Sequence, residues 1–156
     1  MIYMKDMFSK FLELMHEFEI NNVDYILIGG MAINIHGFAR NTEDIDLFIN
    51  PIEKNVNNLR IAMINVFQDD DIHEITGEEL GKYAVIRYGT EDDFYIDIIS
   101  RIGEKFSFND LQYEEKIIEG IRIKVADIKT LYKLKENTYR EIDQLDIKFL
   151  KSKMGN

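Results

Sequence analysis

Asp44 and Asp46 stand one residue apart in the run Asp44-Ile45-Asp46-Leu47-Phe48-Ile49. The run alternates: Asp44, Asp46 and Phe48 point one way, and Ile45, Leu47 and Ile49 point the other, as in a strand with one buried apolar face. Two carboxylates on one strand face can meet the same cation. Asp97 lies in a second apolar run, Phe94-Tyr95-Ile96-Asp97-Ile98-Ile99. A carboxylate in such surroundings is costly unless it is paired or bound to metal. Gly29-Gly30 directly follows the apolar run Tyr25 to Ile28. Glycine lets backbone approach a ligand closely, and a helix beginning there offers free N–H groups to phosphate. Carboxylates for a divalent cation beside such a turn are suited to a metal-bridged phosphate ligand.

Each feature has a plainer reading. Gly29-Gly30 could be a tight strand-to-helix turn, Asp44-Ile45-Asp46 a strand whose second face is wet, and Asp97 a residue on an edge strand facing water. The acidic chain holds further acid-x-acid triplets, such as Glu17/Glu19, Asp69/Asp71, Glu91/Asp93 and Glu141/Asp143. Most of those fall on expected solvated helix faces or loops. Asp44 and Asp46 differ because like charges inside an apolar strand repel at short range, which a cation relieves. Asp97 shares its strand parity with Tyr95 and Ile99, so its face is not plainly solvent.

The elements that must position these residues are legible in the periodicities. Apolar positions Met7, Phe8, Phe11, Leu12, Met15 and Phe18 predict an amphipathic helix from Asp6 to Ile20, stopped by Asn21-Asn22. Tyr25 to Ile28 predicts a strand and Met31 to His36 a short helix closed by Gly37. After the Asp44 to Ile49 strand, Asn50-Pro51 predicts an N-cap with proline in the first turn, opening a helix to Phe67. Lys82 to Tyr88 and Phe94 to Ser100 predict an antiparallel hairpin, and Lys116 to Ile118 with Ile121 to Val125 a second about Glu119-Gly120. From Asp127 the pattern is helical, through Ile128, Leu131 and Leu134. A last helix carries Ile142, Leu145, Phe149 and Leu150. The order predicts an α/β (α+β) fold, a mixed central β-sheet flanked by helices with C-terminal helices.

The chain of 156 residues is 46% hydrophobic and 31% charged, which suits one domain with a single core. Cysteine is absent, which excludes disulfides and thiolate metal sites and suits a reducing cytoplasm. No apolar run approaches the roughly 20 residues of a membrane span. A formal net charge of −10 makes extended nucleic acid a poor partner for the domain alone, while leaving a metal-bound nucleotide open.

Taken in order, Gly29-Gly30-Met31-Ala32, His36-Gly37, Arg40, Thr42, Asp44-Ile45-Asp46-Leu47 and Ile96-Asp97-Ile98 resemble the minimal nucleotidyltransferases of the DNA-polymerase-β-like superfamily. The local wording is most similar to the AbiEii-like branch, which includes toxins of toxin–antitoxin and phage-defence systems. Leu134-Lys135, Arg140, Asp143 and Asp146 resemble the closing pattern of that branch. Ile142 stands where a basic residue is usual, and the doubled glycine replaces a common Gly-Ser. The resemblance spans about residues 25–147 and implies one nucleotidyltransferase domain, with its core over about 23–126 and C-terminal helices over about 127–152.

The resemblance implies transfer of a nucleoside monophosphate from a nucleoside triphosphate to an acceptor hydroxyl on RNA, protein or a small molecule. Two Mg²⁺ or Mn²⁺ ions would be held by Asp44, Asp46 and Asp97, the catalytic carboxylates, with Asp97 nearest the acceptor. Gly29 and Gly30 would hold β- and γ-phosphates; Arg40, Lys135 and Arg140 are cationic candidates for the same anion. Arg40 could equally be a loop charge, and Lys135 and Arg140 could be solvated or paired with Asp143 and Asp146. His36 reads as a helix-end residue. An antitoxin protein is the implied partner. Two further readings stand beside this one: an antibiotic nucleotidyltransferase acting on aminoglycosides or lincosamides, and a catalytically silent nucleotide-binding module that regulates another protein.

Overall fold

The computed structural model describes residues 3–136 and 141–155. Helix α1 (Tyr3–Ile20) buries Phe11, Leu14, Met15 and Phe18 at helical spacing. A turn through Asn22, in the left-handed region at φ +54°, leads into β1 (Tyr25–Ile28). Helix α2 (Gly29–Ile35) starts at the glycine pair itself, two residues earlier than the periodicity predicts. Strand β2 (Asp44–Ile49) has the predicted bounds and alternation, with Ile45, Leu47 and Ile49 fully buried.

Helix α3 (Glu53–Phe67) corrects the expected cap: its N-cap is Ile52, with no side-chain cap, and Pro51 lies before the helix. The reason lies in Asn55, a buried residue of the first turn. Its Nδ2 donates to the carbonyls of Asp24 and Asn50 at 2.9 and 2.7 Å, and its Oδ1 accepts from Asp24 N at 2.7 Å. One amide thereby anchors the helix start to the loop before β1 and the end of β2.

Between α3 and the first hairpin lie a 3₁₀ turn (Asp70–Glu74) and α4 (Gly77–Lys82), neither of which the sequence pattern predicts. Both are short and mostly polar, and each is pinned by one buried apolar side chain, Ile72 and Leu80. Lys82 therefore ends a helix, and the hairpin begins later, with β3 (Val85–Gly89) antiparallel to β4 (Tyr95–Ile99). A separate two-stranded ribbon, β5 (Arg101–Ile102) with β6 (Phe106–Ser107), precedes the second predicted hairpin, β7 (Tyr113–Ile118) and β8 (Ile121–Ala126). Asp127 caps α5 (Ile128–Lys135), its Oδ1 accepting from Thr130 N at 2.8 Å.

The chain closes with α6 (Glu141–Met154). Its buried stripe is Asp143, Asp146 and Leu150, whereas the apolar candidate Leu145 is 51% exposed.

The central sheet is mixed and six-stranded, in the order β3-β4-β2-β1-β8-β7. β2 lies antiparallel to β1 and parallel to β4, and β1 runs parallel to β8. Helix α1 packs on α3 and β8, α2 covers β1 and β2, and α5 packs on α6. Phe48 and Ile99, on the carboxylate face of β2 and β4, are buried as well. That face is thus covered at the strands' ends and opens only towards their starts, where Asp44 and Tyr95 stand.

Candidate active site

Strand register brings the chemistry into one row. Ile28 of β1 is paired with Asp46 of β2, Asp46 with Asp97 of β4, and Asp97 with Arg87 of β3. Paired residues on neighbouring strands point to the same face. Asp46 and Asp97 are therefore side by side, Asp44 lies one pleat along, and Arg87 reaches in from the edge strand. Carboxylate oxygens of Asp44, Asp46 and Asp97 lie within 4.8 Å of one another.

Such crowding shows in the protonation of Asp46. Burial, then the charges of Asp97 and Asp44, push its carboxyl up from an ordinary value near 3.8 to about 7. A hydrogen bond shared with Asp97 adds to the rise, and the Lys135 ammonium opposes it. Three hard oxygen donors at this spacing, one reluctant to ionise for want of a counter-charge, fit a divalent cation such as Mg²⁺ or Mn²⁺.

Gly29 follows Ile28 and so lies against Asp46. Its φ is +73°, and a Cβ there would sit 2.1 Å from Asp46 Oδ2. Both the backbone conformation and the space exclude a side chain. At Gly30 a Cβ would come within 2.5 Å of Arg40 Nη1 and 3.1 Å of Thr42 Oγ1. The glycine pair thus lets the carboxylate and the guanidinium close on the start of α2, whose N-cap offers no side-chain acceptor to the first turn.

Arg40 and Lys135 are both brought to this region, and both are paired with carboxylates of α6. Arg40 Nη1 lies 3.2 Å from Asp146 Oδ2. Lys135 Nζ lies 2.8 Å from Asp143 Oδ1 and 3.4 Å from Asp146 Oδ2. Lys135, for which the sequence allowed a phosphate contact, a solvated charge or a pairing with Asp143 and Asp146, is paired with both aspartates. Arg140 lies outside the described residues. His36 ends α2, as predicted, and its Nε2 is 2.9 Å from the carbonyl of Ala126.

Sequence reasoning passed over Arg87. Its Nε donates to Asp97 Oδ1 at 2.9 Å, and its Nη2 donates to Asp97 Oδ2 and Asp44 Oδ2, each at 3.0 Å. The guanidinium stacks on the Tyr95 ring, 4.5 Å from its centroid. The paired carboxylates of Asp97 and Asp44 hold the Arg87 pKa above its ordinary value. The one signal for it was a basic residue in the strand next to Asp97.

A mixed sheet that carries three convergent aspartates beside a glycine turn is the frame of a nucleotidyltransferase, and the comparisons agree. The profile of the family described as "Nucleotidyl transferase AbiEii toxin, Type IV TA system" matches residues 14–145, and the chain belongs to that family. It is a transferase of the toxin–antitoxin class. No curated protein matches the chain.

Among solved structures, it is similar to the lincosamide antibiotic adenylyltransferase LnuA in its lincomycin-bound form. The TM-score is 0.58 at 16% identity, over 92% of this chain and 96% of that one. ANT(2")-Ia in complex with adenylyl-2"-tobramycin aligns with TM-score 0.58 at 12% identity, over 94% and 88%. An antigenic nucleotidyltransferase-like protein from Paracoccidioides brasiliensis aligns with TM-score 0.58 at 15% identity, over 90% and 74%. These likenesses establish the fold. No helix among the described residues is long and apolar enough to cross a membrane.

Proposed function

We propose that this nucleotidyltransferase moves a nucleoside monophosphate from a nucleoside triphosphate to an acceptor hydroxyl, with Asp44, Asp46 and Asp97 holding divalent metal, Mg²⁺ or Mn²⁺. The observation that carries the reading is the convergence of the three carboxylates within 4.8 Å, beside a glycine at φ +73° where any side chain would be strained and would crowd Asp46. When bound, the metal supplies Lewis-acid polarisation of the reacting phosphate and neutralises charge on the departing pyrophosphate.

The chain's own residues orient and bind. Gly29 and Gly30 let the triphosphate approach the backbone at the start of α2. Asp97 is the carboxylate that takes the proton of the acceptor hydroxyl as its oxygen attacks the α-phosphorus and the bond to pyrophosphate breaks. Arg40 and Lys135 border the phosphate site and add positive potential while remaining tied to α6.

The family supports a toxin acting within a toxin–antitoxin pair, restrained by an antitoxin protein. RNA, protein and small molecules are the acceptor classes. The net charge of −10 favours a cationic small molecule over RNA unless a partner adds positive charge. A silent binding module is disfavoured because all three carboxylates are present and converge.

The test is incubation with each labelled nucleoside triphosphate and Mg²⁺, offering total RNA, lysate protein and a panel of aminoglycosides and lincosamides. Label transferred to one class, and lost in Asp46→Asn, is the expected result. Failure of any transfer with the cognate antitoxin absent and every acceptor offered, in a protein that binds metal and triphosphate, would point to the silent module instead.

A further inference from the structure

The cations around the triad differ in how they are committed. Arg40 and Lys135 are largely buried and paired with fully buried carboxylates of α6. Arg87 is half exposed, on the edge strand, yet it is the one paired with the triad itself. Its Nε and Nη2 form a fork on Asp97, and the same Nη2 bridges to Asp44. A two-pronged guanidinium fixes the plane of the carboxylate it holds. The Tyr95 ring beneath the guanidinium fixes the plane of the arginine in turn.

Two of three carboxylates with the spacing of a cation site thus already share one positive charge belonging to the chain. A guanidinium N–H and a divalent ion cannot share one direction of approach to Asp44 Oδ2. The two contacts also differ in strength. Asp97 receives two hydrogen bonds, and Asp44 receives one, from a nitrogen that already serves Asp97. When a stronger cation arrives, the Asp44 contact is the one to break.

We propose that Arg87 is a positioning residue that acts as a tethered counter-ion: it holds Asp44 and Asp97 in ligand geometry before metal binds, and releases Asp44 to the metal while keeping Asp97. This rests on the reading of the triad as a divalent-metal site. Two consequences follow. Metal alone binds weakly, because it enters against a resident positive charge. The Nη2 freed from Asp44 faces whatever anion arrives with the metal, which in this enzyme is the triphosphate.

The experiment is titration of the whole protein with Mn²⁺, without nucleotide, followed by electron paramagnetic resonance, in the wild type, Arg87→Gln, Arg87→Lys and Asp46→Asn. Arg87→Gln should bind Mn²⁺ about tenfold more tightly than the wild type, the scale of removing a unit charge from beside a divalent ion near solvent. Arg87→Lys keeps the charge but loses the fork, so its Mn²⁺ affinity should stay near that of the wild type, and circular dichroism of each variant checks that it is folded. In parallel, the Arg87 Nε–H signal in ¹⁵N NMR should persist and shift on Mg²⁺ addition, because the Asp97 fork survives while its geometry changes. Equal or weaker Mn²⁺ binding by a folded Arg87→Gln protein overturns the counter-ion role and leaves the metal site standing. A wild type that binds no Mn²⁺ overturns both.

Discussion

Replacing Asp46 by asparagine tests the electrostatics of the triad directly, because the variant keeps the shape and removes the charge. Asp46 titrates near 7 in the folded protein against an ordinary value near 3.8. Its pKa is raised by folding, so the unfolded chain ionises first as pH rises. Stability from this group is fully present below pH ~4 and is lost progressively up to pH ~7. Each pKa unit is about 1.4 kcal/mol, so the wild type surrenders up to about 4 kcal/mol across that window. Asparagine carries no charge to desolvate and does not titrate. In a metal chelator at pH 8, Asp46→Asn should therefore be more stable than the wild type by about 2–4 kcal/mol, the lower end allowing for relaxation around the site.

For a chain of this length that is a rise in Tm of roughly 5–10 °C. The difference should shrink towards zero by pH 4, where the wild-type carboxyl is protonated too. Millimolar Mg²⁺ with a triphosphate should close most or all of that gap, since a ligand at a hundredfold excess over its Kd adds about 2.7 kcal/mol to the protein that binds it. Thermal unfolding followed by circular dichroism at pH 4, 5, 6, 7 and 8, with chelator and with metal, reads all of this. Wild-type and variant curves running parallel across pH in chelator would refute the reasoning, because crowded buried charge would then not be what raises Asp46.

Two further substitutions probe the frame. Gly29→Ala must adopt φ +73° and place a methyl against Asp46 Oδ2, so it should lose about 1–3 kcal/mol and most Mn²⁺ affinity, measured by unfolding and by titration. Lys135→Met leaves Asp143 and Asp146 with less positive charge in a buried setting, and it should cost about 3 kcal/mol. A double variant, Lys135→Met with Asp146→Leu, should cost less than the sum of the two single changes. Additive effects would show that the pair is not coupled.

Much of this protein was legible in the order of its residues. Strand β2 and its two faces follow from the alternation of Asp44 to Ile49, a local property of extended backbone that needs no partner. Helix α1, both hairpins and the start of a helix about Asp127 follow from periodicity and turn chemistry for the same reason. The three aspartates and two glycines could be grouped as one candidate site through their ordered resemblance to the nucleotidyltransferases, the family whose profile matches residues 14–145.

What remained open depended on register and on partners distant in sequence. A hairpin closed by Tyr88 and Phe94 would set Val85 opposite Asp97; the observed pairing of Gly89 with Tyr95 sets Arg87 there instead. A shift of two residues leaves every side chain on its own face, so alternation carries no information about it. The same holds for α6, where the buried stripe is charged because Arg40 and Lys135 arrive from 106 and 11 positions away to meet Asp146. A helix pattern marks which residues share a face. Whether aspartates on that face meet water or cations is decided only when the chain brings the other side of the contact to them.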